Sequence, residues 1–244
     1  MHCITFLKLH YEKVKKINDN RKVNLNKMCL KSHMPKPYVY INCAMSIDGK
    51  LSLKNGMPIS ISDEEDLKRV HQLRSSVDAI LIGANTVIND DPSLRVKEKY
   101  VENPKQPIRI ILDGKGRIND NARVLDGSLE TWILTSKNNP KEYLKAKKVI
   151  FEKENISVYE ILKYLESNGI SKLLVEGGGT IISEFITENA FDLLTIYVGN
   201  IIIGENAPPI VRAFTASSEK ETIKLQLLKT ETKKNGILLY YSPI

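Results

Sequence analysis

Residues 171–185 read SKLLVEGGGTIISEF. Ser171 to Val175 is a short apolar run of β-prone residues, the signature of a strand buried on both faces. Glu176 and three glycines, Gly177, Gly178 and Gly179, come directly after it, and Thr180 opens a pattern that predicts a helix running to Asn189. Glycine lacks Cβ, so a ligand can come close to the backbone there. The new helix offers free N–H groups and the positive end of its dipole, which suit a pyrophosphate. A plain flexible turn would also read this way, and the spacing is not that of the first-turn dinucleotide fingerprint.

Working outward, the chain alternates strands with helices. Tyr38 to Met45, Asp78 to Gly83, Pro107 to Asp113, Thr131 to Thr135 and Val149 to Phe151 read as strands. A helix is predicted over Asp63 to Ser75, capped by Ser62 with Glu65 three residues on, and turning Leu67, Val70, His71 and Leu73 inward. A short helix starts at Ala84 and runs to Asn89, before a loop at Asp91-Pro92. Ser157 and Glu160 form a second capping box, opening a helix to about Ser167 that Gly169 stops. Leu193 to Ile203, Ile223 to Leu228 and Gly236 to Tyr241 come last, as strands with no helix between them. The alternation predicts an α/β fold with helices on both faces of a mostly parallel sheet. The final run predicts an antiparallel addition at one edge, hence a mixed sheet.

The formal charge is +7, and residues 1–33 carry eight Lys or Arg against two acids, so +6 of it sits there. This segment lacks a sustained helical or strand pattern. Three readings stay open: a mis-assigned start with Met34 as the true one and the extension unmade or disordered, a targeting extension, or a nucleic-acid-binding arm. Residues 34–244 form the expected catalytic domain. That body is nearly neutral, so no nucleic-acid partner is expected for it. No apolar run reaches the roughly 20 residues that span a bilayer, so no membrane segment is expected. The three cysteines, Cys3, Cys29 and Cys43, have no metal-ligand spacing, so no metal is expected, and their odd number suits a reducing, cytoplasmic setting.

Further candidates lie where predicted strands end, as ligand sites do in open α/β sheets. Thr86 and Asp90 are four apart, so on a helical turn they share a face able to hold sugar hydroxyls. Asp91-Pro92 could equally just end the helix. Met45-Ser-Ile-Asp48-Gly-Lys50 reads as a turn or a site edge. Gly114-Lys115-Gly116-Arg117 pairs two cations with two glycines and could clasp a phosphate, or be a solvated turn. His71 reads best as a packed side chain. No Ser/His/Asp order, metal cluster or paired-carboxylate motif appears, and no general acid is named.

Together AMSIDGK (44–50), QLRSSVDAILIGANTVINDDPSL (72–94), PIRIILDGKGRI (107–118) and LLVEGGGTIISEF (173–185) resemble the stand-alone 2,5-diamino-6-ribosylamino-4(3H)-pyrimidinone 5′-phosphate reductases. They also resemble the reductase half of the bifunctional riboflavin deaminase–reductase. The resemblance covers residues 37–244. It implies a dihydrofolate-reductase-like fold, NADPH with NADH as the alternative, a homodimer and a small-molecule substrate. It also implies hydride addition at C1′ of a ring-opened ribosylamino imine. It places Ala44, Thr86, Asp90, Gly114, Lys115, Gly116, Arg117, Gly177, Gly178, Gly179, Thr180 and Ile181 on the cofactor. It places Arg74, Leu94 and Glu176, with Asn42 and Asp48, on the substrate. The bifunctional relatives carry lysine where this chain has Asn42 and tryptophan near Ser60, so these positions read as marks of the stand-alone form. A folate reductase would share the fold but uses an early tryptophan, whereas the single Trp132 lies mid-chain. A basic RNA-binding protein would rest on the tail charge alone.

Overall fold

The computed structural model describes residues 5, 8–12 and 36–244. Nine strands form one sheet: β1 (Tyr38–Met45), β2 (Ala79–Gly83), β3 (Ile108–Leu112), β4 (Thr131–Ser136), β5 (Lys147–Phe151), β6 (Lys172–Gly177), β7 (Leu193–Gly199), β8 (Leu225–Lys233) and β9 (Gly236–Pro243). Their order is β5-β4-β3-β2-β6-β1-β7-β9-β8. Every neighbour from β5 to β7 is parallel, while β9 and β8 are antiparallel additions beyond β7. The mixed α/β sheet expected from the alternation is therefore present, with the helix-free end of the chain at one edge.

Among residues 36–244, helices α1 (Glu64–Ser75), α2 (Ala84–Asp90), α3 (Val158–Ser167) and α4 (Gly179–Thr187) cover the faces. Successive strand residues feed opposite cores, as the two-residue period of a strand requires. Leu173 and Val175 join Ile161, Leu165, Ile182 and Phe185 of α3 and α4 on one face. Leu174 joins Ile80, Ile82, Leu73 and Val87 of α1 and α2 on the other. The capping box at Ser157 and Glu160 is formed, with both reciprocal bonds in place.

Several local expectations are corrected. Asp63, not Ser62, caps α1: its carboxylate accepts from Asp66 N at 2.9 Å, and Ser62 Oγ donates to Asp66 Oδ2 instead. The inward side of α1 is Asp66, Arg69, His71 and Leu73, with Leu67 37% exposed. The helical period marks its apolar positions, but a buried ion pair occupies the face: Arg69 Nε donates to Asp66 at 2.7 Å and Nη2 to Asn42 Oδ1 at 2.7 Å. β7 stops at Gly199 rather than Ile203. Asp48 accepts from the amides of Ile203 and Gly204 and draws the chain off the sheet. β8 runs on to Lys233 because its polar half alternates on a half-exposed edge hairpin. α4 ends at Thr187, and Asn189 turns the chain at φ 50°.

Most of the basic segment at residues 1–33 lies outside the described residues. Where it is described, residues 8–12 are helical, and the Tyr11 ring meets Tyr38 edge-on at 5.1 Å. His71 packs, as read from the sequence: it stacks on Tyr100 at 4.6 Å, and its Nδ1 accepts from Lys97 N.

One polar residue ties the loops of the left half of the sheet together. Arg109 on β3 is fully buried and donates to Thr131 Oγ1, Asp126 Oδ1 and the carbonyls of Leu129, Ser93 and Arg123. Burial depresses its pKa, offset by Asp126. Unsatisfied buried acceptors cost about 1–3 kcal/mol each. Arg109→Ala is expected to lower the unfolding free energy by about 3 kcal/mol in urea titrations, and a loss under about 1 kcal/mol would contradict the role.

Candidate active site

The strand order creates the site. β6 is threaded between β1 and β2. From β2 the chain moves on to β3, away from β6, while from β6 it moves through α4 to β7 on the other side. Loops that leave adjacent parallel strands in opposite directions open a crevice at the carboxyl ends, the usual ligand position in such sheets. A cavity of about 1310 Å³ lies there. Pockets for one drug-sized ligand run to about 1,000 Å³, so this one has room for two molecules.

The two diverging loops touch. Gly177 adopts φ +148°, a conformation L side chains rarely take, and the Gly177–Gly178 peptide is cis. A Cβ on Gly178 would stand 3.0 Å from Thr86 Oγ1. Gly178 is the N-cap of α4 and supplies no side-chain hydrogen bond, so the first amides of α4 keep their donors. Gly177, Gly178, Gly179, Thr180 and Ile181 all line the cavity, together with Ala44, Thr86 and Asp90. Burial raises the Asp90 carboxyl pKa.

On a further wall stand Gly114, Lys115 and Arg117. Their turn is built by Asp113, whose carboxylate accepts from the amides of Arg117 and Ile118 at 3.0 Å each. Gly116 sits at φ +67°, where a Cβ would collide with Asn139 Oδ1, and it does not line the cavity. Its need is the turn itself. Arg117 Nη1 donates to Asn85 Oδ1 at 2.8 Å, which leaves Lys115 as the less committed cation.

The substrate-side candidates divide. Glu176 reaches the cavity. It falls where the β2–β6 register slips, Leu81 facing Val175 and Ile82 facing Gly177, so it is the extra residue of a bulge, a device that re-aims a side chain. Arg74 is its partner, Nε to Oε1 at 2.9 Å and Nη2 to Oε2 at 2.6 Å, a mostly buried fork-to-fork pair. Arg74 itself is not among the cavity-lining residues. Leu94 is buried at φ 55° beside Arg109's bond to Ser93. Asn42 is buried, accepting from Arg69 and Thr195. Asp48 holds the 203–204 loop, and hydrogen bonds from Ser46, Gly204 and Ile203 draw its pKa down to about 2. None of these three lines the cavity.

Apart from Ser60, noted only through the resemblance, and Ser62, read only as a cap, the sequence reading missed the loop from Leu51 to Ser62, which forms one wall, and Asn206 to Pro208 with Arg212, which form another. Nothing local marks them. They arrive through an isolated bridge of Lys50 to Pro209 and a bond from Leu51 N to Pro208 O.

Set against known proteins, residues 37–239 match the RibD C-terminal domain. The chain is 38% identical over 188 residues to the 2,5-diamino-6-ribosylamino-4(3H)-pyrimidinone 5′-phosphate reductase of Archaeoglobus fulgidus, covering 72% of this chain and 86% of that one. The protein so named from Methanothermobacter thermautotrophicus is 32% identical over 213 residues, covering 85% and 98%. A solved deaminase/5-amino-6-(5-phosphoribosylamino)uracil reductase from Thermotoga maritima superposes with a TM-score of 0.74 at 26% identity. That match covers 86% of this chain, which spans only 57% of that longer protein. The class so defined is an oxidoreductase with a dihydrofolate-reductase-like fold. The chain belongs to the RibD C-terminal domain family. Among the described residues, no helix is long and apolar enough to cross a membrane.

Gly178→Val would press a branched side chain onto Thr86 and into the cavity. It is expected to weaken nicotinamide-cofactor binding by about tenfold or more by calorimetry, a larger effect than the loss of stability that displacing Thr86 causes. Unchanged affinity would remove the glycine loop from the site.

Proposed function

We propose that this protein reduces the ribosylamino side chain of 2,5-diamino-6-ribosylamino-4(3H)-pyrimidinone 5′-phosphate to the ribitylamino form, with NADPH as reductant, in riboflavin biosynthesis. The observation that carries the reading is the meeting of the glycine loop with Thr86 in a cavity large enough for two ligands. The names of the Archaeoglobus and Methanothermobacter relatives supply the substrate. The catalytic unit is residues 34–244, working as a cytoplasmic homodimer.

The residues present fit a dinucleotide. The uncapped amides of α4 and the Cβ-free backbone at Gly178 suit its diphosphate. Thr86 and Asp90 suit the ribose beside the nicotinamide, and Lys115 with Arg117 suit the 2′-phosphate that separates NADPH from NADH. The bound cofactor supplies the hydride. The chain's own residues hold the two reactants together and exclude water. Glu176, fixed by Arg74, presents acceptor oxygens to the amino and ring N–H groups of the pyrimidinone.

Oxidation of NADPH by the purified protein, followed optically with the pyrimidinone phosphate, is expected; NADH and dihydrofolate serve as comparisons. A dimeric mass by light scattering is expected from the same sample. Turnover with dihydrofolate but not the pyrimidinone would overturn the assignment.

Glu176→Gln keeps the shape but turns one acceptor into a donor and leaves Arg74 without its counter-ion. One charge-assisted hydrogen bond is worth about 1.5–3 kcal/mol, so kcat/KM for the pyrimidinone is expected to fall about ten- to a hundredfold. NADPH affinity should hold, and the melting temperature should drop because a mostly buried arginine loses its partner. Loss of NADPH affinity with unchanged substrate kinetics would move Glu176 to the cofactor side.

A further inference from the structure

Arg212 stands out among the cations of the cavity. Its Nε is buried and has no hydrogen-bond partner among the described residues. Lys115 and Arg117 lie on the turn after β3, whereas Arg212 lies against the start of α4: a Cβ on Gly179 would stand 3.4 Å from its Nε. A buried guanidinium N–H that nothing accepts is costly. Arg212 is only partly buried and forms part of the cavity wall, so its guanidinium is within reach of a group held there.

The backbone of Arg212 is locked to the same helix. Ser183, in the second turn of α4 and buried, donates its Oγ–H to Arg212 O at 2.6 Å, and the same oxygen accepts from Arg212 N at 2.9 Å. The preceding residues are pinned by the bond from Leu51 N to Pro208 O at 2.9 Å. The side chain therefore springs from a fixed point beside the free amides of α4. Cavity-lining Glu176 is taken by Arg74. Glu184 makes no ion pair with Arg212, and burial, reinforced by the neighbouring Glu188, raises its pKa. The charge of Arg212 thus stands beside the uncapped first turn of α4, with the Pro209 carbonyl as the backbone acceptor nearby, and the cation together with those amides suits an anion rich in oxygen acceptors.

We propose that Arg212 is a phosphate ligand: it donates, alongside the first amides of α4, to the phosphate or diphosphate group seated on the glycine loop. The proposal rests on the reading of the cavity as a dinucleotide and phosphoester site, and it adds a residue to which no sequence motif pointed. The phosphate could come from the cofactor's diphosphate or from the substrate's 5′-phosphate, and the chemistry of recognition is the same.

The test compares wild type with Arg212→Met in the full chain. It measures calorimetric affinity for inorganic pyrophosphate and for NADPH, the KM for the pyrimidinone phosphate at saturating NADPH, and the melting temperature without ligand. A loss of about ten- to a hundredfold for pyrophosphate and NADPH together, at unchanged melting temperature, is expected and assigns Arg212 to the cofactor's diphosphate. The same loss in pyrophosphate affinity and substrate KM, with NADPH untouched, supports the ligand and assigns it to the substrate's phosphate. All three values within twofold of wild type overturn the proposal. Should Arg212→Met melt far below wild type, Arg212→Gln decides on the pyrophosphate affinity alone: a tenfold loss supports the proposal, and wild-type affinity overturns it. Arg212-dependent pyrophosphate binding in a protein that ignores NADPH would defeat the cofactor reading and leave this one standing. NADPH-driven turnover with the pyrophosphate affinity, NADPH affinity and substrate KM all untouched by Arg212→Met would do the reverse.

Discussion

The placement of β6 between β1 and β2 is the constraint on which the site depends. A strand with neighbours on both edges and helices on both faces has no freedom in its register. Its apolar side chains are shared alternately between two cores, and a slip by one residue would send Leu174 into the wrong one. Because β6 is held so firmly, the turn at its carboxyl end is held too. The glycine loop leaves the sheet at a set height, opposite the loop that leaves β2, and the two meet at Thr86. The bulge at Glu176 is the single deviation in that strand, and it aims a carboxylate into the crevice where straight pairing would not.

Much of this is legible in the chain. Apolar runs mark every parallel strand, and the capping box at Ser157 marks α3 to the residue. The strand–glycine–helix sequence at 172–180 announces its own geometry, because both its parts, a buried strand and a run without Cβ atoms, are local. Boundaries fail where the cause is not local. Leu193 to Ile203 looks like one strand, but Asp48, some 150 residues earlier, captures the amides of Ile203 and Gly204. The inner face of α1 departs from its pattern because a charged pair, Asp66 with Arg69, fills a place where the helical period leads one to expect only apolar groups. Arg74 and Glu176 are each marked for substrate. That they hold each other requires the fold, since 102 residues separate them.

The cavity illustrates the same division. Residues on the loops after β2, β3 and β6 can be found by asking where strands end. Those from Leu51 to Ser62 and from Asn206 to Arg212 cannot. They are long connections without a periodic pattern, joined to each other by a few backbone bonds. Asp113 shows how a buried carboxylate can stand in for a structural motif: with two amides it shapes the cationic turn and sets Lys115 on the cavity wall.

The position of β1 has a consequence for how the molecule comes into being. It is the first strand of the sheet to be made, yet Tyr38 pairs with Lys172 and Tyr40 with Leu193. Both edges of this apolar strand therefore lack partners until more than 130 further residues exist. Contacts so distant along the chain make folding slow, and exposed strand edges invite association with other chains meanwhile. On the ribosome the central strand must wait until β6 and β7 have been made. The crevice, which opens beside β6, cannot exist before that strand has been added to the sheet.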